Sequence, residues 1–92
     1  VAAVVKAKDY KEAMQLATNS RFGLGTMIFT NNIDNIYGHI SQIPDGALFI
    51  NEMVKSDPRL PFGGTKASGY GRELSKEGIL EFVNTKTVYI NK

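Results

Sequence analysis

Residues 60–73, LPFGGTKASGYGRE, constrain this chain more than any other stretch. They gather four glycines (Gly63, Gly64, Gly69, Gly71), two cations (Lys66, Arg72) and two aromatics (Phe62, Tyr70) in one irregular loop. Glycine reaches positive φ and lets backbones approach closely, and Pro61 fixes φ on the way in. Connections between elements usually run about 4 to 6 residues, and much longer ones are functional or disordered. Phe62, Tyr70 and their apolar flanks argue against disorder. The loop reads as a built site.

A chain of 92 residues amounts to one small domain, and folding at this size buries only about 60 to 65% of the unfolded surface. That is too little for a complete enzyme of a familiar kind. The composition, 42% hydrophobic and 22% charged, is that of a soluble globular protein, with no run near the roughly 18 apolar residues of a membrane span. The net charge of +2 is spread along the chain, without the cationic stripe that tracks a phosphate backbone, so neither nucleic acid nor membrane is an expected partner. With no cysteine there is no disulfide framework, thiolate ligand or thiol nucleophile. Residues 1–5 are too short for a signal peptide's apolar region, and Lys6 lies on its wrong side. The expected setting is intracellular, in the cytoplasm. Val1 is not an initiator methionine, and VAAVV enters directly as a buried-type strand. The chain is therefore expected to begin inside a larger protein.

Residues 2–5 read as a short strand, and Asp9 with Glu12 forms a capping-box pattern that opens a helix with Ala13, Leu16 and Ala17 as its buried stripe. That helix should stop within residues 19–23, where Asn, Ser and Gly cluster. Residues 24–30 read as a strand. A second helix is expected over residues 32–42, with Ile33, Ile36, Tyr37, Ile40 and Ile43 on one face and Asp34, Asn35, His39 and Gln42 toward solvent or a partner. Pro44, Asp45 and Gly46 end it. Residues 47–51 form an apolar strand, residues 52–72 the loop, residues 75–83 a third helix and residues 87–91 a last strand with half-exposed alternation. This order predicts an α/β fold with a mainly parallel sheet. The last strand reads as an edge available to another sheet or subunit.

Several chemistries fail on spacing. Gly64 and Gly69 are followed by Tyr70 and Gly71, where a P-loop needs Lys and Ser or Thr. A dinucleotide fingerprint needs a third glycine where Ile28 and Leu74 stand. Ser68 lacks the flanking glycines of a nucleophile elbow, and no serine precedes a lysine at SxxK spacing. His39, the single histidine, has no second imidazole or thiolate with which to share a metal.

LPFGGTKASGYGRE, preceded by GALFIN and SRFGLGTMIFT and followed by a helix and KTVYI, resembles the carboxy-terminal part of aldehyde dehydrogenases. Through VKSDPRLPFGG it is most similar to the succinate-semialdehyde dehydrogenases. The resemblance implies an enzyme in which hydride passes from a thiohemiacetal on a catalytic cysteine to NAD or NADP, after which a glutamate activates water to release the acid. It also implies that this piece contains no catalytic or cofactor-binding residue, since that cysteine is absent and the glutamate and cofactor fold lie upstream. Residues 1–82 would be the end of the catalytic domain, with residues 52–72 as a substrate-tunnel loop. Residues 83–92 would be a strand leaving for the oligomerisation sheet of a dimer or tetramer.

By the same resemblance, Ser56 occupies the position that meets the distal end of the aldehyde, where a hydroxyl can donate to the carboxylate of succinate semialdehyde. The plainer reading is a turn serine before Asp57 and Pro58. Phe62 resembles the aromatic of the tunnel near the reacting carbon; it also reads as a core anchor of the loop. Lys66, Arg72 and Glu73 read as loop locks acting through ion pairs and carbonyl hydrogen bonds. Arg59 is a secondary candidate for the substrate carboxylate, and Asn51 a backbone-bonding anchor. Two other readings stay open: a non-catalytic interaction or oligomerisation module of the same fold, and a small anion-binding protein using the loop as an amide nest.

Overall fold

Asp9 opens the first helix by satisfying one of its orphan amides. In the computed structural model, which describes residues 1–92, Asp9 Oδ1 accepts from the Glu12 N–H at 2.8 Å, and helix α1 runs Tyr10–Thr18. Glu12 reaches back in turn, to the Lys8 N–H at 2.7 Å rather than to that of the cap residue, so the capping box closes one residue wider. α1 ends where the cluster of Asn and Ser begins, as expected, with Asn19 leaving helical backbone. Its buried stripe is not the expected one. Ala13, Leu16 and Ala17 are exposed, whereas Tyr10, Met14 and Thr18, four residues apart, are half-buried. The Tyr10 ring meets His39 edge-on with centroids 5.3 Å apart, and this contact turns that face inward and draws His39 partly out of solvent.

Two short ladders follow. β1 (Phe22–Gly23) pairs antiparallel with β4 (Thr65–Lys66). β2 (Thr26–Ile28) pairs in parallel with β3 (Leu48–Ile50), Thr26 opposite Leu48 and Ile28 opposite Ile50. The expected α/β crossover is present in β2 and β3, but the expected mainly parallel sheet is corrected to one parallel and one antiparallel pair. The antiparallel ladder arises because the glycine loop itself supplies β4.

The helix expected over residues 32–42 is broken. α2 is a single turn, Asp34–Tyr37, followed by a 3-10 turn, Ile40–Gln42. Gly38 lies between them, and there the His39 N–H bonds the Ile36 carbonyl at 2.8 Å, a tighter step than an α-helix makes. The isoleucine face twists at this break: Ile36 and Ile43 are buried, while Ile33, Tyr37 and Ile40 are exposed. α3 runs Ser75–Leu80, shorter than expected because Phe82 and Val83 bond three residues back, to Ile79 and Leu80.

Residues 2–5 and 87–91 form no strand in this chain. β-branched content suits a strand, but a strand also needs a neighbour exchanging hydrogen bonds in register. Neither segment meets one, and Val4, Val88, Tyr89 and Ile90 are exposed.

The core is small, since Ile36 and Ile43 are its only buried hydrophobic residues. The accessible surface is 7756 Å², against about 5,300 Å² for a compact chain of this mass. The radius of gyration is 17.6 Å, against about 12 Å for a compact domain of this length. Ordering each residue costs roughly 1–2 kcal/mol of backbone entropy, which so little burial does not offset. The isolated 92-residue chain should therefore lack a cooperative thermal transition by circular dichroism. A sharp transition above about 45 °C, where small domains ordinarily melt, would contradict this account.

Candidate functional site

α1 has no basic side chain in its last turn, and the carbonyls there have no partner within the helix. Lys66 supplies the missing cation from the glycine loop. Its Nζ donates to the Ser20 carbonyl at 3.1 Å and the Thr18 carbonyl at 3.3 Å, which also suits the negative end of the helix dipole. Lys66 holds φ 53 to do so, a left-handed conformation that costs a non-glycine residue roughly 1–2 kcal/mol.

Short polar side chains pin the same stretch. The Gly23 N–H donates to Ser68 Oγ at 3.0 Å, and the Ala67 N–H to the Arg21 carbonyl at 2.9 Å. The Thr65 hydroxyl has one proton to give; the Pro44 carbonyl at 2.8 Å takes it in preference to that of Gly23 at 3.3 Å. Asp45 Oδ2 accepts from the Thr26 hydroxyl at 2.6 Å, joining the turn to β2. Ser68 and Asp45 were legible only as a failed nucleophile and a turn residue. Their partners lie 45 and 19 residues away, and no linear pattern signals them.

Arg72 closes the far side. Its Nη1 donates to the carbonyls of Gly71 at 2.7 Å and Gly64 at 2.9 Å. Gly63 has no room for a side chain, since a Cβ there would strike the Gly71 carbonyl and approach Arg72 Cδ to 2.9 Å. Phe62 and Glu73 exchange two backbone hydrogen bonds, of 2.9 and 2.8 Å. The expected carbonyl locks are thus present, but the expected ion pairs at Lys66, Arg72 and Glu73 are not. The pairs that form are Lys55–Glu52 and Arg59–Asp57; Lys66 Nζ and Arg72 Nη1 go to carbonyls, and Glu73 joins through its backbone.

Asn51 is the expected anchor. At φ 55, it accepts from the Thr30 N–H at 2.8 Å and donates to the Thr30 carbonyl at 2.9 Å. The side-chain amide thereby extends the parallel ladder by one rung.

The two substrate candidates are placed differently. Phe62, half-buried, lines an open cleft of about 480 Å³ with Leu24, Tyr70, Arg72, Glu81 and Phe82. Ser56 is exposed and lies outside that cleft. Between them, Arg59 Nε and Nη2 donate to the two carboxylate oxygens of Asp57 at 3.0 and 2.7 Å. This hydrogen-bonded pair holds the Asp57 carboxyl below its ordinary pKa and raises that of Arg59. Two of the five guanidinium N–H groups are thereby engaged, and the Arg59 side chain stays exposed.

Several amides of the loop are engaged within the chain. The N–H groups of Phe62, Ala67, Ser68, Gly69 and Glu73 go to backbone carbonyls, and that of Arg72 goes to Glu81 Oε1, while those of Gly63, Gly64, Tyr70 and Gly71 donate to none of these partners. A pyrophosphate turn of the GxGxxG kind does not form here. Gly23 is buried in the ladder with β4, and neither glycine pair has the third glycine that a pyrophosphate turn requires.

Residues 1–88 match the aldehyde dehydrogenase family, and the chain belongs to it. Its α/β architecture is therefore that of an aldehyde dehydrogenase domain. A protein of Synechocystis named "Probable succinate-semialdehyde dehydrogenase", NADP(+), is 56% identical over 82 residues, covering 89% of this chain and 18% of that protein. The succinate-semialdehyde dehydrogenase 1, NADP(+), of Mycobacterium tuberculosis is 49% identical over 90 residues, covering 98% of the chain and 20% of that protein. Among solved structures, the succinic semialdehyde dehydrogenase of Streptococcus pyogenes in complex with NADP+ superposes with a TM-score of 0.84 at 43% identity, covering 94% of the chain and 19% of that one. The chain thus spans about a fifth of the length of the relatives it matches.

Two outcomes follow from this geometry. In the full-length protein, Asn51→Ala should lower stability by about 2 kcal/mol, through two lost hydrogen bonds and a positive φ without its preferred residue; a urea midpoint shift checks it. The depressed Asp57 pKa means that its clamp contributes above the ordinary aspartate value of about 3.9 and is lost as pH falls through Asp57's own lower value. Arg59→Gln should move the Asp57 carboxyl titration upward by NMR.

Proposed function

We propose that this chain forms the C-terminal part of the catalytic domain of an NAD(P)-dependent aldehyde dehydrogenase whose intact form oxidises succinate semialdehyde to succinate. The observation that carries this reading is the 56% identity to a relative named for that aldehyde and for NADP(+). NADP is the first cofactor to try, with NAD the alternative. When bound, the nicotinamide accepts hydride from the substrate; the residues that hold it lie outside this chain.

Residues 1–82 supply the wall of the aldehyde site through the loop at residues 52–72. The Phe62 ring offers a stiff apolar surface that excludes water and orients the aldehyde. Ser56 donates its hydroxyl to the distal carboxylate when the rest of the enzyme closes the tunnel over it. Residues 83–92 pair with another sheet in a dimer or tetramer. Their alternating pattern and the exposure of Val88, Tyr89 and Ile90 support that role. No helix is long and apolar enough to cross a membrane, and the cytoplasm is the compartment this reading assigns.

The exposed apolar surface equally favours an interaction module that pairs with full-length subunits. A catalytic cysteine encoded on the same polypeptide would decide for the enzyme.

The intact protein should reduce NADP or NAD with succinate semialdehyde, and inactivity with every aldehyde tried would overturn the reading. Ser56→Ala should raise KM for succinate semialdehyde about tenfold, the scale of one lost bond to a charged group, while a simple aliphatic aldehyde changes little. An unchanged preference between the two would remove Ser56 from the substrate site.

A further inference from the structure

Glu81 stands immediately after α3 and turns its carboxylate back onto the glycine loop. Its Oε1 accepts from the Arg72 backbone N–H at 3.1 Å. The same carboxylate lies 3.5–3.6 Å from where a Cβ on Gly71 would stand, so the loop backbone passes directly beneath it. Gly71 holds φ 84 there, a conformation open to glycine and strained for most other residues. One peptide further on, Glu73 exchanges two backbone hydrogen bonds with Phe62. Glu81 and Phe62 also line one cleft. A single acceptor oxygen at the end of α3 therefore fixes the Arg72 amide, and the rigid bridge from Glu73 passes that constraint to Phe62.

We propose that Glu81 is a positioning residue that holds the Phe62 ring in place as the wall of the aldehyde site. The inference rests on the reading of Phe62 as that wall. The loop does not depend on Glu81 for its closure, because the Arg72 guanidinium independently holds the Gly64 and Gly71 carbonyls. Loss of the carboxylate loosens Phe62 without releasing the loop. The role needs an acceptor rather than a charge, so an amide oxygen at the same position serves and a methyl group does not.

The test uses the full-length enzyme with Glu81→Ala, Glu81→Gln, Phe62→Ala and the double variant Phe62→Ala/Glu81→Ala. Glu81→Ala should raise KM for the aldehyde about fivefold or more, the equivalent of one hydrogen bond, with kcat near the parent value. Glu81→Gln should restore KM, and the double variant should be no worse than Phe62→Ala alone, as expected for residues acting through one another. Amide exchange across residues 62–73, read by mass spectrometry, should speed up in Glu81→Ala and not in Glu81→Gln. Glu81→Met, which fills the space without an acceptor, replaces the alanine variant if that one does not fold. Additive losses in the double variant, a glutamine as damaging as alanine, or unchanged KM in Glu81→Ala would each overturn the proposal. If Phe62→Ala leaves aldehyde kinetics untouched, the Phe62 wall itself is wrong and the positioning role goes with it. If Phe62→Ala acts and Glu81→Ala does not, only the role of Glu81 fails.

Discussion

The open carbonyl end of α1 is the point on which the rest of this structure hangs. A helix leaves its last carbonyls without partners, and α1 carries no cation of its own to meet them. Lys66 reaches the Thr18 and Ser20 carbonyls from the glycine loop. Next to it, Thr65 and Lys66 pair with Gly23 and Phe22, so one contact region ties the first quarter of the chain to its third. With so few buried apolar groups, polar and backbone contacts of this kind set the arrangement, and Phe62 lies within the loop they hold.

The loop is built to be rigid at its edges and open at its centre. Arg72 spends its guanidinium on carbonyls inside the loop, and Phe62 and Glu73 zip its two ends. Such a device shapes a wall. It contains no thiol. The two side chains proposed to meet the substrate are not brought together by this chain, Ser56 lying outside the cleft and Phe62 within it.

Local features were readable in the sequence because their physics is local. The Asp9 cap, the end of α1 at the Asn–Ser–Gly cluster and the Asn51 anchor each depend on neighbours or on one strand end. The family resemblance was readable because its separated sequence blocks agree in order and spacing. The break at Gly38, the packing face of α1, β4 and the contacts of Ser68, Asp45 and Glu81 were not. Apart from the break at Gly38, each is decided by a partner beyond its immediate neighbours: His39 turns Tyr10 inward, Gly23 makes a strand of Thr65, and the fold brings Arg72 under Glu81.

By itself, the sequence determined that this is a glycine-loop segment of the aldehyde dehydrogenase kind, with no cysteine and a length that allows only a modest core. Composition and the order and spacing of sequence blocks suffice for that, since they need no knowledge of neighbours. The tertiary structure decided how the loop is held: by carbonyl hydrogen bonds instead of ion pairs, with Arg59 paired to Asp57, Phe62 bonded to Glu73 and the Arg72 amide bonded to Glu81. Those outcomes turn on which N–H group meets which oxygen, over separations from one residue at Gly71–Arg72 to 48 at Thr18–Lys66, and only the folded path of the backbone sets those distances.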